Sequence, residues 1–348
     1  MSGGVDSAVT AHLIREMGYD ACGATISMFS KTDPRFCPVP SSDPDAEIKD
    51  AKKVAELIGI PHFVYDYSTE FAESVLHDFI FSYLSGKTPN PCIVCNKHIK
   101  FGRFLASAKE NGFDKIATGH YASVEKSASG RYLLKKASDP KKDQTYVLYS
   151  LSQSQLADTV FPLGSYTKAE VREIAASLGF SNSEKHDSQD ICFIPDGDYA
   201  SFIMRYTGKG FEPGNFLDRD GNIIGKHRGS PLYTIGQRKG LGVSLGQPMY
   251  VCEKSAKNNT VTLGLDRDLF STSLDAENIN FIPFDRLDSP MRVTAKIRYS
   301  QSFAPAWLEQ TSDNTFHLEF DVPQRAVTPG QSAVLYDGEY VIGGGIIK

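Results

Sequence analysis

Three stretches of this 348-residue chain carry residue types suited to covalent chemistry. The first is Ser2-Gly3-Gly4-Val5-Asp6-Ser7, running into the apolar-periodic segment Ala8 to Met17. Two glycines let the backbone turn tightly and let a ligand approach the main chain. The flanking hydroxyls can donate to phosphate oxygens. A helix starting here aims its free N–H groups and positive dipole end at the same spot, so the expected ligand is a polyphosphate. This is not a Walker A loop: Gly86-Lys87-Thr88 has Phe81 where that motif needs its first glycine. Nor does Gly240-Leu241-Gly242 make a dinucleotide fingerprint, because the final glycine is displaced to Gly246 and no strand-turn-helix context supports it.

The other two stretches bring sulfur. Cys92 and Cys95 form a C-x-x-C behind Thr88-Pro89-Asn90-Pro91, whose two prolines hold the lead-in extended. Lys97, His98 and Lys100 follow and are expected to favour thiolate over thiol. Cys192 lies far along the chain in Asp187-Ser188-Gln189-Asp190-Ile191-Cys192-Phe193. A structural zinc site needs a second ligand pair at short spacing, and Cys22, Cys37 and Cys252 are isolated; these three read as inert. A thioredoxin-type pair would follow the first strand of its fold, whereas this one follows a long helix. Two uses remain if Cys192 meets the pair across a cleft. Sulfur passes between thiolates, or it sits on an iron site held by three of them.

Positioning these groups takes an α/β framework. Ala8, Val9, Leu13, Ile14 and Met17 make a helical stripe, Ala21 to Phe29 is strand-like, and a polar, Pro-rich loop spans Lys31 to Pro44. A helix over Ile48 to Ile58, a strand over His62 to Tyr65, helices over Thr69 to Leu84 and Ile99 to Lys109, and a strand over Lys115 to Thr118 follow. This alternation predicts a doubly wound parallel sheet, whose ligands gather at the carboxyl ends of strands. Ser2–Ser7, Met28 and Gly119 would converge there. No strand precedes the loop, and the expectation is that the true start lies upstream. Tyr121 to Lys136 reads as a hairpin turning at Gly130, and Lys168 to Leu178 as a helix capped by Thr167 and Glu170. Between Ile203 and Gly242 stand seven Lys and Arg against three Asp and Glu, interleaved with Tyr206, Phe211, Phe216 and Tyr233. After Leu269 short β-type runs predict a small barrel or sandwich. The expected domains are therefore residues 1–202, 203–268 and 269–348.

Composition sets outer bounds. Apolar content of 41%, charged content of 23% and a net charge of −5 are those of a globular protein that does not coat DNA non-specifically. No apolar run approaches the ~20 residues that span a bilayer. Few, scattered cysteines and no secretory signal point to the cytoplasm, without a membrane partner.

Taken together, the motifs resemble one family. Ser2-Gly3-Gly4-Val5-Asp6-Ser7, Pro89-Asn90-Pro91-x-x-x-Cys95-Asn96-Lys97-x-Ile99-Lys100-Phe101, Ala117-Thr118-Gly119-His120-Tyr121 and Lys142-Asp143-Gln144 occur in order. They are followed by Ser188-x-x-Ile191-Cys192-Phe193-Ile194, Tyr233-Thr234-Ile235-Gly236-Gln237-Arg238-Lys239-Gly240-Leu241-Gly242 and Arg298-Tyr299-Ser300-Gln301. This series is similar to that of the tRNA-specific 2-thiouridylases, which are PP-loop (N-type ATP pyrophosphatase) enzymes that sulfurate C2 of the wobble uridine. The resemblance implies that Ser2, Gly3, Gly4, Val5, Asp6, Ser7, Met28 and Gly119 hold ATP with its magnesium ion. It makes Cys192 the persulfide carrier and Cys95 the nucleophile. Asn90, Pro91 and Cys92 would touch the target base, and His120, Lys142, Asp143, Gln144, Arg298, Tyr299 and Gln331 the tRNA. A cysteine desulfurase or sulfur relay protein would supply the sulfur. One departure stands out. The family commonly has Asp where this chain has Cys92, which leaves proton transfer without an obvious owner and completes a Cys92, Cys95, Cys192 trio able to hold a 4Fe–4S cluster. Two other readings are a small-molecule amide ligase, which leaves the cysteines idle, and a non-catalytic RNA-binding module.

Overall fold

The computed structural model describes residues 1–30, 32–36, 43, 45–180, 191–243 and 246–348. Ser188, the rest of Asp187–Asp190, Cys37 and most of the Pro-rich loop lie outside the described residues. Contacts divide the chain into two units.

The first unit comprises Met1–Val75, Cys92–Gly197 and Gly338–Val341. Gly4 is the extended N-cap of α1 (Val5–Glu16). β1 (Gly23–Ser27), α2 (Ala46–Ile58) and β2 (His62–Asp66) follow, with β1 and β2 parallel from Gly23 opposite His62 to Ser27 opposite Asp66. A helical run then passes through α3 (Ser68–Phe71), a π-helical segment (Ala72–Leu76) and α4 (His77–Leu84); only its first part belongs to this unit. Next come α5 (Pro91–Cys95), a second π-helical segment (Asn96–Arg103) and α6 (Phe104–Glu110). β3 (Ile116–Ala117), the hairpin β4 (Ser123–Lys126) and β5 (Tyr132–Lys135), α7 (Gln153–Ala157), β6 (Thr159–Val160) and α8 (Lys168–Ser177) complete the unit's elements. β3 and β6 are parallel.

The parallel strands that alternation called for are thus present as two pairs among the described residues, not as one ladder. The main chain of Met1 also reaches β1, its carbonyl accepting from Thr25 Oγ1 at 2.7 Å. The core of the unit packs Val5, Ala8, Val9 and Leu13 of α1 on Val54 and Ile58 of α2 and on Val171 and Ala175 of α8. Each large side chain among these contributes about 1.5–3 kcal/mol by burial, which fixes the direction in which α1 points its N-terminus. The helix expected from Lys168 carries its capping box as read: Thr167 accepts from the Glu170 amide, and Glu170 accepts from the Thr167 amide at 2.6 Å.

The second unit comprises Leu76–Pro91, Asp198–Asp337 and Ile342–Lys348. After α9 (Tyr199–Thr207), β7 (Gly214–Leu217), β8 (Ile223–His227), β9 (Tyr250–Ser255) and β10 (Thr260–Gly264) form a sheet in the order β8-β7-β10-β9, with Phe216, Tyr233, Val251, Val261 and Leu263 as its core. β11 (Phe270–Phe281), β12 (Met291–Lys296), β13 (Ala304–Ser312), β14 (Thr315–Arg325), β15 (Ser332–Asp337) and β16 (Tyr340–Ile347) follow. Their order β11-β14-β13-β12-β15-β16 closes because β16 pairs back onto β11, so the alternative left open by the sequence resolves to a barrel. Closure needs close backbone approach. A Cβ on Gly343, at φ +151°, would overlap the Asn280 carbonyl, which only glycine avoids.

Candidate functional site

The phosphate-type loop is held shut by its own hydroxyls. Ser2 donates through its amide to Ser7 Oγ at 3.1 Å, and Ser7 Oγ donates to the Gly4 carbonyl at 3.0 Å. Gly3 has φ +68°, and a Cβ there would lie 2.9 Å from the Glu47 carbonyl, so the turn requires glycine on both counts. Gly119 closes on the same place: a Cβ there would lie 3.0–3.1 Å from the Asp6 main chain and Cβ. Ser2–Ser7 and the segment after β3 are therefore adjacent, as loops at strand carboxyl ends should be.

Asp6 does not face the loop's mouth as a free carboxylate. Lys168 Nζ donates to its two oxygens at 2.8 and 2.9 Å, and Tyr121 Oη donates at 2.9 Å. Neither partner was singled out from the sequence. The signal for Lys168 is a lysine in the first turn of a capped helix, where the dipole disfavours a cation.

Met28 meets one of the sulfurs. It follows β1, and its thioether accepts from the Cys95 thiol at 3.7 Å. Cys95 is buried at the end of α5, with Cys92, exposed, one turn earlier on the same face. The π-helical segment that follows is kept open by Gln155, whose amide donates to the carbonyls of Lys97 (3.1 Å) and Phe101 (2.8 Å). Asn96 donates to the Val147 carbonyl at 3.0 Å, and a Cβ on Gly102 would meet the Lys97 carbonyl at 2.9 Å. Such π insertions re-aim side chains and concentrate at functional sites. Cys192 is placed by its neighbour Phe193, a fully buried ring 5.6 Å from that of Phe71.

The three thiols act on one another. Burial, then the charges of Cys95 and Cys92, push the Cys192 thiol up to about 12, with Lys100 opposing. Burial raises Cys95 and Cys92 as well, and Lys100 again opposes in both. Cys192 and Cys92 keep solvent-exposed surface while desolvation raises their thiols. The expectation that Lys97, His98 and Lys100 hold thiolates is corrected on this point. Lys100 pulls in that direction but burial outweighs it, and all three sulfurs rest as thiols. Lys100 is half-buried and makes no ion pair among the described residues. At Cys92 burial is the larger influence on the thiol and Lys100 the opposing one.

Among the described residues no group of three or more His, Cys, Asp and Glu side chains is gathered tightly enough to hold a metal ion, and Cys92, Cys95 and Cys192 are no exception. As placed, the three thiols do not fit an iron–sulfur cluster. Cys22 and Cys252 are half-buried with raised thiols, consistent with inert roles.

The residues expected at tRNA are mostly engaged within the protein. His120 is buried between Phe101 and Phe161, shares a 2.8 Å hydrogen bond with Thr118 Oγ1, and is held well below the usual imidazole range by burial. In this structure it is a buried, neutral histidine. Asp143 accepts from the Ala137 amide and from Thr145 Oγ1, and Gln144 accepts from the Tyr121 amide at 2.9 Å. Lys142 beside them is half-buried. In the second unit, Arg298 donates to the carbonyls of Ala326 and Arg325, while Tyr299 is exposed with Lys296 Nζ 5.6 Å from its ring. Gln331 donates to the Thr88 carbonyl at 2.8 Å, and the Thr88 amide to the Pro329 carbonyl at 2.8 Å, so the lead-in to Asn90 and Pro91 is strapped to the barrel. Among the described residues no helix is long and apolar enough to cross a membrane.

Comparison with known proteins agrees in kind. Residues 1–196 match the family described as tRNA methyl transferase HUP domain, 200–265 its PRC-barrel domain and 271–347 the aminomethyltransferase beta-barrel domain. The tRNA-specific 2-thiouridylase MnmA of Clostridioides difficile (strain 630) is 50% identical over 349 residues, covering 100% of this chain and 96% of that protein. Its counterpart of the same name in Halothermothrix orenii is 48% identical, covering 100% and 97%. The U34-tRNA thiolase NcsA from Methanococcus maripaludis with its 4Fe-4S cluster is 20% identical with a TM-score of 0.34, covering 59% of this chain and 64% of that one, too slight a likeness to carry an argument. With a PP-loop domain, a middle domain and a closed barrel matched over nearly its whole length, the chain belongs to the tRNA-specific 2-thiouridylase family of enzymes.

Proposed function

We propose that this enzyme converts the wobble uridine of tRNA to 2-thiouridine at the cost of ATP, with three segments, 1–202, 203–268 and 269–348, sharing adenylation, RNA binding and support of the target-base segment. The observation that carries the reading is the contact between Met28, beside the ATP loop, and the Cys95 thiol. It supports a reading in which Cys95 works close to the carboxyl end of β1, where the nucleotide would bind.

The uracil C2 oxygen is a poor leaving group. It attacks the α-phosphorus of ATP, pyrophosphate departs, N3 gives up its proton, and the oxygen is now part of AMP. Main-chain N–H groups of Ser2–Ser7 at the start of α1, with Gly119 and Met28, bind the nucleotide, whose magnesium ion arrives with it. The terminal sulfur of a Cys192 persulfide then attacks C2 and AMP leaves. Cys95 thiolate attacks Cys192 Sγ, breaking the S–S bond. The electron pair stays with the sulfur on C2, and Cys95 and Cys192 finish as a disulfide that an external thiol must reduce. In the alternative order Cys95 cleaves the persulfide first and free sulfide attacks C2, with the same disulfide and the same electron balance. Uridine must leave the anticodon stack for this, with Asn90, Pro91 and Cys92 beside it. Of the residues assigned to tRNA, Tyr299 and Lys142 make direct contact; Asp143, Gln144, Arg298 and Gln331 act by holding the backbone. A cysteine desulfurase or sulfur relay protein loads Cys192, in the cytoplasm. Methyl transfer, which the family description mentions, would use neither an ATP loop nor a thiol trio.

The test is tRNA-dependent pyrophosphate release together with mass analysis of the tRNA nucleosides. Release with tRNA but not with a free amine, and appearance of 2-thiouridine, are expected. Release with an amine donor alone would favour the amide-ligase reading.

A further inference from the structure

Asp6 poses an electrostatic problem. It stands in the first turn of α1, where a polyphosphate is to bind, and two negative groups at one helix N-terminus repel each other. Lys168 answers it. Its amine meets both Asp6 oxygens at 2.8 and 2.9 Å, and it is 8% exposed. It also stands in the first turn of α8, where a cation opposes the dipole and loses hydration, so it has no local reason to be there. Its backbone is fixed by the Thr167–Glu170 capping box and by donation of its amide to Asp139 at 3.1 Å. Tyr121 Oη completes the site, and the Lys168 amine lies 5.9 Å from the Tyr121 ring.

We propose that Lys168 is a positioning residue of the ATP site: it neutralises Asp6 and turns that carboxylate away from the phosphates, leaving the loop's N–H groups and dipole to receive them. This rests on the reading that Ser2–Ser7 hold ATP. It adds that the acidic residue of the loop is tolerated only because α8 supplies a cation.

Equilibrium binding of MgATP and of adenosine to the full chain, with thermal melting of each variant, tests this. Lys168→Met should weaken MgATP about tenfold at low salt, an effect that shrinks as salt rises. Adenosine, uncharged, should bind as to the wild type. Lys168→Arg should bind MgATP nearly as well as the wild type. The decisive variant is Asp6→Asn with Lys168→Met, which should recover most of the lost MgATP affinity because the charge to be masked is gone. A double variant no better than Lys168→Met, or equal loss of ATP and adenosine, would overturn the proposal in favour of direct phosphate contact or a purely structural pin. Should Lys168→Met not fold, Lys168→Gln takes its place: weakened MgATP with unchanged adenosine supports the proposal, and MgATP bound as by the wild type contradicts it. Wild-type protein that binds no MgATP is a different failure, one that removes the ATP-site reading itself.

Discussion

The thiol of Cys95 donates to the thioether sulfur of Met28 across 3.7 Å, joining the end of the C-x-x-C helix to the end of the first strand. Cys95 is the nucleophile proposed for this enzyme's sulfur chemistry, and Met28 is proposed to line its nucleotide site.

Replacing either reactive cysteine should separate the half-reactions. Cys192→Ser and Cys95→Ser are each expected to abolish 2-thiouridine in nucleoside mass analysis while retaining tRNA-dependent pyrophosphate release. Loss of both activities in Cys192→Ser would remove it as the sulfur carrier.

Lys100 opposes the rise that burial imposes on all three thiols, so its removal should push them further up. A thiol that titrates one pH unit higher holds about tenfold less thiolate at neutral pH. Lys100→Met should slow single-turnover sulfur transfer by about tenfold near pH 7.5 and move the rise of rate with pH to higher values. An unchanged pH profile would show that Lys100 does not act on the thiolates.

His120 is neutral in the folded protein, its pKa depressed by burial, whereas in the unfolded chain it titrates normally. The stability this provides is present above the unfolded value and lost as pH falls through it, since only the unfolded chain then takes up the proton. Melting temperature should therefore drop between about pH 7 and 5, and the drop should be smaller in His120→Gln. If the two proteins melt in parallel across that range, the buried ring is not the titrating group.

Gln155 serves two carbonyls of the π-helical segment. Gln155→Ala leaves them short of a donor and should cost about 1–3 kcal/mol in denaturant unfolding. Because the segment sets the path from Cys95 to Lys100, sulfur transfer should fall more than adenylation. Equal loss of the two would mean that the segment only supports the fold.

Much of this was legible in the sequence, for reasons particular to certain residues. Gly3 and Gly119 announce close approach, and the Thr167–Glu170 pair announces a helix start; both are local rules that the structure obeys. The barrel runs were readable because period-two alternation survives closure; the long β11 is harder to read, since only Leu274 and Ala276 of it are fully buried and its pairing shifts register at Ser271/Ser273 and Glu277/Asn280. What the sequence hid was partnership at a distance. Nothing in Lys168 names Asp6 across 162 positions, and nothing in Gln155 names the carbonyls of Lys97 and Phe101. The resemblance alone assigned His120 to tRNA, and its burial between two phenylalanines is invisible until the chain is folded. The basic residues after Cys95 promised thiolates, but charge can be counted along a chain and desolvation cannot.

The most direct measurement is a single turnover with ATP, tRNA and Cys192 preloaded as persulfide, scored for pyrophosphate, 2-thiouridine and cysteine peptides by mass. The account predicts one pyrophosphate and one Cys95–Cys192 disulfide for every 2-thiouridine formed. Thiouridine formed with both cysteines still reduced, or without matching pyrophosphate, would contradict it.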